Sequence, residues 1–456
     1  MNNRTHLLCA STMAVLAIYF MVWPIWRAQF PIEIWFTESW NAFHQDAAIS
    51  GLPLYPGADQ LVVNNYPPLS FFAVGWLGHL FGDSLFVGRL LSLVGVFTIA
   101  VEIALAVRIL AGSLLAGAVG ALWFVAIMAH NATFYVGTND PQIAGQAIMG
   151  AGLVWFLSRD KAGGSPLAPL LLMVLAGFWK HNIIAIPATA ILWLCLHDWR
   201  LAARPVLLSV VAAAAGLALC AATFGPAFFA NLLTARAYSV AHLLSQLGHL
   251  QWLALAAVLW GLWAWFDRRS DAARFTALHA SVGLVACLAQ WFGEGVFGNA
   301  EFDLTIALAI GTGAALARIA ASPVARWIGL NRSRVMVVVA LSLRLVLSGR
   351  QESAQVLFNP EFRTRYAVAA DATAAAAVSI SKIPGPVYCK QNNLICRAAG
   401  KAFVVDDFKT DQLLATGRAT DADISAMFQS RGITVVEGSA LLYAAAPLEQ
   451  IVSPSP

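Results

Sequence analysis

Long apolar runs alternate along the chain with short polar connections, and the run lengths set the first expectation. Runs of about 16 to 25 apolar residues suit a helix crossing a hydrocarbon core, whereas the strands of a membrane barrel alternate over about ten residues. Full spans are therefore expected near residues 7–26, 84–108, 112–131, 141–158, 166–180, 182–197, 205–224, 250–267, 275–293, 302–321 and 335–348. These make eleven, and a count of up to thirteen stays open for short spans that hydropathy does not separate.

The stretch "LVVNNYPPLSFF" at 61–72 breaks the pattern. An apolar run from Pro67 to Gly82 is short, begins with Pro-Pro, and would invert every later connection if it crossed the membrane. Leaving it out lets the positive-inside rule decide. With the N-terminus inside, thirteen Lys and Arg residues between Arg4 and Arg334 fall at cytoplasmic ends. Four, Arg27, Arg89, Lys180 and Arg236, fall outside before the tail, which makes the Pro67 segment interfacial or re-entrant. The first run follows Arg4 and continues into "WPIWRAQF" without a small-x-small pattern, so it reads as an anchor helix rather than a removed leader.

The outward side then holds a long first loop (27–83), short loops near 132–140 and 294–301, a medium loop at 225–249, and a tail. In the first loop, Phe36 to Ser50 reads as an amphipathic helix along the membrane surface, closed by Gly51 and Pro53. In the tail, helical stretches ("AVAADATAAAAVSIS", "DADISAMFQSRG") alternate with β-rich ones ("GPVYC", "AFVVDD", "ITVVEG"). The expected architecture is an all-α polytopic membrane domain (1–348) followed by a small extracytoplasmic α/β domain (349–456).

Composition agrees with this class. The chain is 59% hydrophobic and 11% charged, with a mean hydropathy of +0.70, which excludes a soluble globular domain. The net charge of +4 lies largely in short connections and gives no reason to expect nucleic acid. Four cysteines, Cys9, Cys195, Cys220 and Cys287, sit in apolar runs as small hydrophobes. Cys389 and Cys396 lie in the outward tail, where a disulfide is permitted, but their spacing does not decide whether they pair.

Candidate chemistry gathers at outward helix ends. Asp140 precedes Pro141 in "TNDPQ", as a helix cap or as an acid facing outward. Lys180 and His181 end another helix, and Arg236 lies near Tyr238 and His242; each is a functional candidate or a side chain snorkelling to lipid phosphates. Arg89 reads as an anchor or as an ion partner for Asp83 or Glu38. Glu294, Asn299, Glu301 and Asp303 form another outward turn, either lining the same cavity or solvated. Glu102 lies deep in an apolar run and needs a partner that the sequence does not identify. Asp406 and Asp407 read as a cap or turn rather than a metal pair.

A first-loop acid, a "YPPLS" segment followed by "LFGDSLFVGRLLSL", and a second-loop "DPQ" helix start together resemble the GT-C glycosyltransferases. The likeness is to their lipid A aminoarabinose transferase and protein O-mannosyltransferase branch, over about the first 200 residues. It implies a bacterial inner-membrane enzyme that moves a sugar from a polyprenyl-phosphate donor to a glycan, lipid or protein acceptor at the periplasmic face. It also implies that Glu38 and Asp140 are the catalytic acids, with Asn64, Asn65, Tyr66, Asp46, Lys180, His181 and Arg236 as substrate contacts. The chain departs from the pattern where many relatives carry an acid and a lysine before the diproline; here stand Asn65 and Tyr66. First-loop Glu38 also lacks the Asp-Glu pairing of relatives. The need for a metal is left undetermined by these departures. Two other readings stay open: a transporter or lipid flippase, which would place broken helices in corresponding halves, and a non-catalytic polyprenyl-lipid-binding relative.

Overall fold

The computed structural model describes residues 3–437. The N-terminal part is a run of helices: α1 (Asn3–Arg27), α2 (Thr37–Ser50), α3 (Leu69–Phe81), α4 (Ser84–Ala111), α5 (Leu114–Asn131), α6 (Pro141–Lys161), α7 (Leu167–Trp179) and α8 (Ala185–Phe224). After these come α9 (Pro226–Leu232), α10 (Val240–Gln246), α11 (Ala254–Phe266), α12 (Asp271–Trp291), α13 (Phe302–Ala317), α14 (Pro323–Ile328) and α15 (Leu330–Val346). The tail holds α16 (Glu352–Phe358), α17 (Pro360–Ser381), β1 (Val387–Lys390), α18 (Asn393–Ala398), α19 (Asp407–Ala415), α20 (Asp421–Ser430) and β2 (Thr434–Glu437).

Each apolar run identified from the sequence is helical, and local polar residues set the ends. Asp83, Ser113, Asp140 and Ser270 accept backbone N–H groups at the starts of α4, α5, α6 and α12. Gly51 and Gly112 close α2 and α4 in the left-handed region. Helix α8 is 40 residues long, about 60 Å at the usual rise and twice a hydrocarbon core. It is broken at Asp198, whose backbone is non-helical and whose Oδ1 accepts the Arg200 and Leu201 N–H groups. The two spans expected over 182–197 and 205–224 meet at that break. Among the described residues, six helices are long and apolar enough to cross a membrane, or seven if the pair Val240–Trp252 and Ala254–Phe266, bent by 70°, forms one span. The chain is a multi-pass membrane protein, and α3, expected to be short, is a 13-residue helix.

Helices α1, α4, α5, α6 and α13 form the main core. Close approach is built from small residues: a methyl on Gly120 would overlap the Ala309 carbonyl oxygen, so α5 and α13 touch backbone to backbone.

The tail contains a parallel two-stranded sheet, with Val387 opposite Thr434 and Cys389 opposite Val436. Cys389 and Cys396 form a disulfide that ties β1 to α18. Of the three β-rich stretches expected, the middle one is not a strand: Asp406 donates its N–H to the Leu61 carbonyl at 2.9 Å, so 402–406 is laid along the first loop instead. Leu61 shares an apolar cluster with Tyr388, Val405 and Ile424 of the tail. The end of the expected 349–456 domain, from 438 onward, lies outside the described residues.

Candidate functional site

The first loop is held by one buried ion pair. Arg89 of α4 and Glu38 of α2 are both 0% exposed. Arg89 Nε donates to Glu38 Oε1 at 2.8 Å and Nη2 donates to Oε2 at 2.7 Å. The remaining guanidinium donors go to the Ala28, Phe30 and Ile32 carbonyls, at 3.2, 2.6 and 2.6 Å. Glu38 is occupied to the same degree: Oε1 also accepts the Asn139 N–H at 2.8 Å and Oε2 the Ile34 N–H at 2.7 Å. Desolvating two charges is tolerable only with such complete pairing.

Asn139 therefore fixes the residue that follows it. Asp140 Oδ1 accepts the Gln142 N–H at 2.7 Å, as a cap does, and also the Lys180 ammonium at 2.8 Å. Its Oδ2 accepts no hydrogen bond from the described residues. Lys180 stands just past the end of α7, is fully buried, and lies 4.6 Å from the centre of the Tyr66 ring. The cost of burying the ammonium is offset by its pairing with the Asp140 carboxylate. His181 lies beside Tyr66, with ring centres 6.0 Å apart. Its ring reaches the surface, and the crowding around it together with the Lys180 and Arg236 charges lowers its pKa. Arg236 packs its guanidinium on Phe408 of α19, 5.1 Å from the ring centre.

The expected site residues thus separate into two sets. Asp140, Tyr66, Lys180, His181 and Arg236 come together around one end of the bundle. Glu38, Asp46 and Asn64 are already committed elsewhere. Asp46 pairs with Arg397 of α18 through bonds of 2.7 and 3.0 Å, and Arg397 also reaches Asp83 at 3.1 Å. Asn64 is fully buried, donates to the Leu54 carbonyl at 3.2 Å and accepts the Tyr66 N–H at 3.1 Å, so it shapes the turn that presents Tyr66. Asn65 is partly exposed between them and forms no side-chain hydrogen bond among the described residues.

Helix α2 also differs from a surface helix. Most of its buried positions are polar: Glu38 meets Arg89 and Gln45 meets Asn139, whereas His44 packs among the Trp40, Phe71 and Phe403 rings. Gln45 and Asn139 exchange two amide hydrogen bonds of 2.9 Å.

Tail residues close the opposite side of α2. Trp40 Nε1 donates to Asp406 Oδ2 at 3.0 Å, and Phe43 stacks on Phe403 with ring centres 4.8 Å apart. Sequence reasoning missed Arg397, Trp40 and Phe403 as neighbours of this region, since nothing local marks a contact across more than 300 residues. Among the described residues no three His, Cys, Asp or Glu side chains gather as metal ligands.

No family model and no curated protein matches the chain. Solved structures do. ArnT from Cupriavidus metallidurans in the apo state superposes with a TM-score of 0.61 at 15% identity, covering 94% of this chain and 93% of that one. The fold is that of ArnT. A second ArnT crystal structure, bound to undecaprenyl phosphate, gives a TM-score of 0.56 at 15% identity, with 99% and 96% coverage. The ArnT likeness runs through the tail as well as the spans, beyond the first 200 residues that carry the sequence resemblance.

Proposed function

We propose that this chain is a GT-C membrane glycosyltransferase that transfers a sugar, with inversion, from a polyprenyl-phosphate donor to an acceptor at the periplasmic face. The observation that carries the reading is the Asp140–Lys180 pair over Tyr66, in a fold whose ArnT neighbour was crystallised with undecaprenyl phosphate. The bacterial inner membrane, a cytoplasmic N-terminus and a periplasmic tail domain from residue 349 belong to the same proposal, supported by the loop charges.

In this reading Asp140 is the base. Its Oδ2 takes the acceptor hydroxyl's proton as that oxygen attacks the anomeric carbon. The bond from the anomeric carbon to phosphate breaks, and its electron pair leaves on the polyprenyl phosphate. Lys180, His181 and Arg236, with the Tyr66 hydroxyl, hold the departing phosphate. Lys180 stands over the residue that replaces the relatives' lysine, so it supplies from α7 the charge missing before the diproline. Glu38, with both oxygens occupied, is a positioning residue that fixes Asn139 and hence Asp140.

Purified protein in lipid nanodiscs with radiolabelled undecaprenyl-phosphate sugars and a membrane extract as acceptor tests this. Consumption of a donor lipid by wild type, lost by about 100-fold or more in Asp140→Asn, is expected. Full transfer by Asp140→Asn overturns the assignment of the base, and no binding or consumption of any donor overturns the transferase reading.

A further inference from the structure

Helix α19 of the tail meets the candidate site at Arg236, and the transfer chemistry above makes no use of that contact. Phe408 and Gln412 stand four residues apart on α19 and so share one face. Gln412 is buried, and its Oε1 accepts the Ala237 N–H at 2.7 Å. The Phe408 ring lies under the Arg236 guanidinium, with Cζ 5.1 Å from the ring centre. Two glycines make room for this arrangement. A methyl on Gly293 would stand 2.9 Å from Arg236 Cδ, and one on Gly295 would stand 3.0 Å from Phe408 Cε2. The same stretch joins two outward loops, since Glu294 donates its N–H to the Ala237 carbonyl at 3.0 Å and Ser239 donates to the Phe292 carbonyl at 2.8 Å.

Arg236 is held without engaging its charge. Among the described residues its guanidinium forms neither an ion pair nor a side-chain hydrogen bond, unlike Arg89 and Arg397, whose donors are taken by other groups of the chain. An aromatic ring attracts a guanidinium through the ring face, and the N–H fork, which lies in the guanidinium plane, stays available to a phosphate. The charge also reaches the rest of the site, because Arg236 is one of the cations that lower the His181 pKa. The start of α19 is fixed from the other side: Asp406, its cap, accepts from Trp40 of α2 and donates its N–H to the Leu61 carbonyl of the first loop. Helix α19 therefore links the first loop to the loop that carries Arg236.

We infer that Phe408 and Gln412 are positioning residues for the lipid phosphate, acting through Arg236, so that the phosphate site is complete only with the tail docked. The Phe408 ring orients the guanidinium, and the Gln412 amide fixes the backbone beside it. The inference rests on the donor reading above and adds a part of the site that the tail makes. Lys180 is set in place by Asp140 within the bundle, whereas Arg236 is set in place from outside it.

The test measures binding of undecaprenyl phosphate to nanodisc-embedded protein, for wild type, Arg236→Ala, Phe408→Leu, Phe408→Tyr and Gln412→Ala. Phe408→Leu keeps an apolar side chain but no ring, and is expected to weaken binding by about fivefold. Phe408→Tyr restores a ring face and binds within about twofold of wild type. Gln412→Ala, which removes one hydrogen-bond acceptor and no ring, weakens binding by about threefold and carries the same comparison where Phe408→Leu does not fold. In the Arg236→Ala background neither Phe408→Leu nor Gln412→Ala has a further effect, since the group they act through is gone. The assignment is overturned if Phe408→Leu or Gln412→Ala binds as wild type does, if Phe408→Tyr is as weak as Phe408→Leu, or if the losses persist in the Arg236→Ala background. Undiminished binding by Arg236→Ala overturns it too, by removing Arg236 from the phosphate site. Wild type that does not bind undecaprenyl phosphate at all removes the donor reading itself, whereas binding that Arg236→Ala weakens and the α19 variants do not leaves that reading standing and sinks only the part given to the tail.

Discussion

Arg89 grips Glu38 by two edges of its guanidinium, with Nε 2.8 Å from Oε1 and Nη2 2.7 Å from Oε2, and neither side chain is exposed. A carboxylate with both oxygens so engaged stabilises structure more readily than it accepts a proton. Glu38→Gln leaves a buried guanidinium without its counter-charge, an arrangement that costs about 3–5 kcal/mol. The expected result is a markedly lower midpoint in thermal unfolding in detergent, with activity falling only as the folded fraction falls. A fully folded but inactive Glu38→Gln protein would return Glu38 to the role of base.

Lys180 is expected to separate stability from ligand binding. Lys180→Met strands the Asp140 carboxylate, and removing one member of a buried pair costs about 2–5 kcal/mol. In the double variant Asp140→Asn with Lys180→Met the stranded charge is gone, so thermal stability recovers. Affinity for undecaprenyl phosphate does not recover, because the cation over Tyr66 is still missing. Recovery of both in a titration of lipid phosphate binding would show that Lys180 serves Asp140 alone.

The tail's hold on the first loop depends on the shape of one side chain. Arg397 meets Asp46, Asp83 and the Ser84 hydroxyl, with a side chain 15% exposed against partners at 43% and 38%. Charge-assisted hydrogen bonds of this kind, reduced for solvent screening, contribute about 1–2 kcal/mol. Arg397→Ala should open the tail to limited proteolysis before the membrane bundle unfolds. Arg397→Lys should rescue poorly, since an ammonium lacks the fork that reaches two carboxylates at once.

Asp406 gives the same contact a dependence on pH. Burial raises its pKa to about 7, the neighbouring Asp407 adds to the rise, and the Trp40 hydrogen bond opposes it. A carboxyl whose folded pKa lies above its unfolded value favours the folded state most below the unfolded pKa. That contribution is lost as pH rises from about 4 to about 7. Tail docking, read by proteolysis across this window, weakens toward neutral pH. Asp406→Asn flattens the profile; an unchanged slope would assign the effect to another group.

Much of the fold was legible because hydropathy is a local property: the expected apolar runs are helical, although among the described residues six or seven helices, not eleven, are long and apolar enough to cross a membrane. The break at Asp198 fell in the expected gap because an acid between two apolar runs is itself a cap. Candidate residues were harder, since an isolated acid looks alike whether it meets a ligand or a distant arginine. The pairing of Arg89 with Glu38 was one of three readings the sequence allowed, beside a plain anchor and a pairing with Asp83, which faces Arg397 instead. Asp46 was expected at the substrate and is held by that same arginine, 351 positions away. The stretch 402–406 has the composition of a strand, yet the edge it meets belongs to the first loop rather than to the tail's own sheet.

The Arg397 clamp also orders events during synthesis. Helix α2 and the start of α4 precede α18 along the chain, and their acids Asp46 and Asp83 wait 351 and 314 residues for a shared counter-charge. Until the segment carrying Arg397 has been made, Asp46 and Asp83 lack the side chain that pairs with both. The first loop reaches its final shape only when α18, made long after it, arrives to close it.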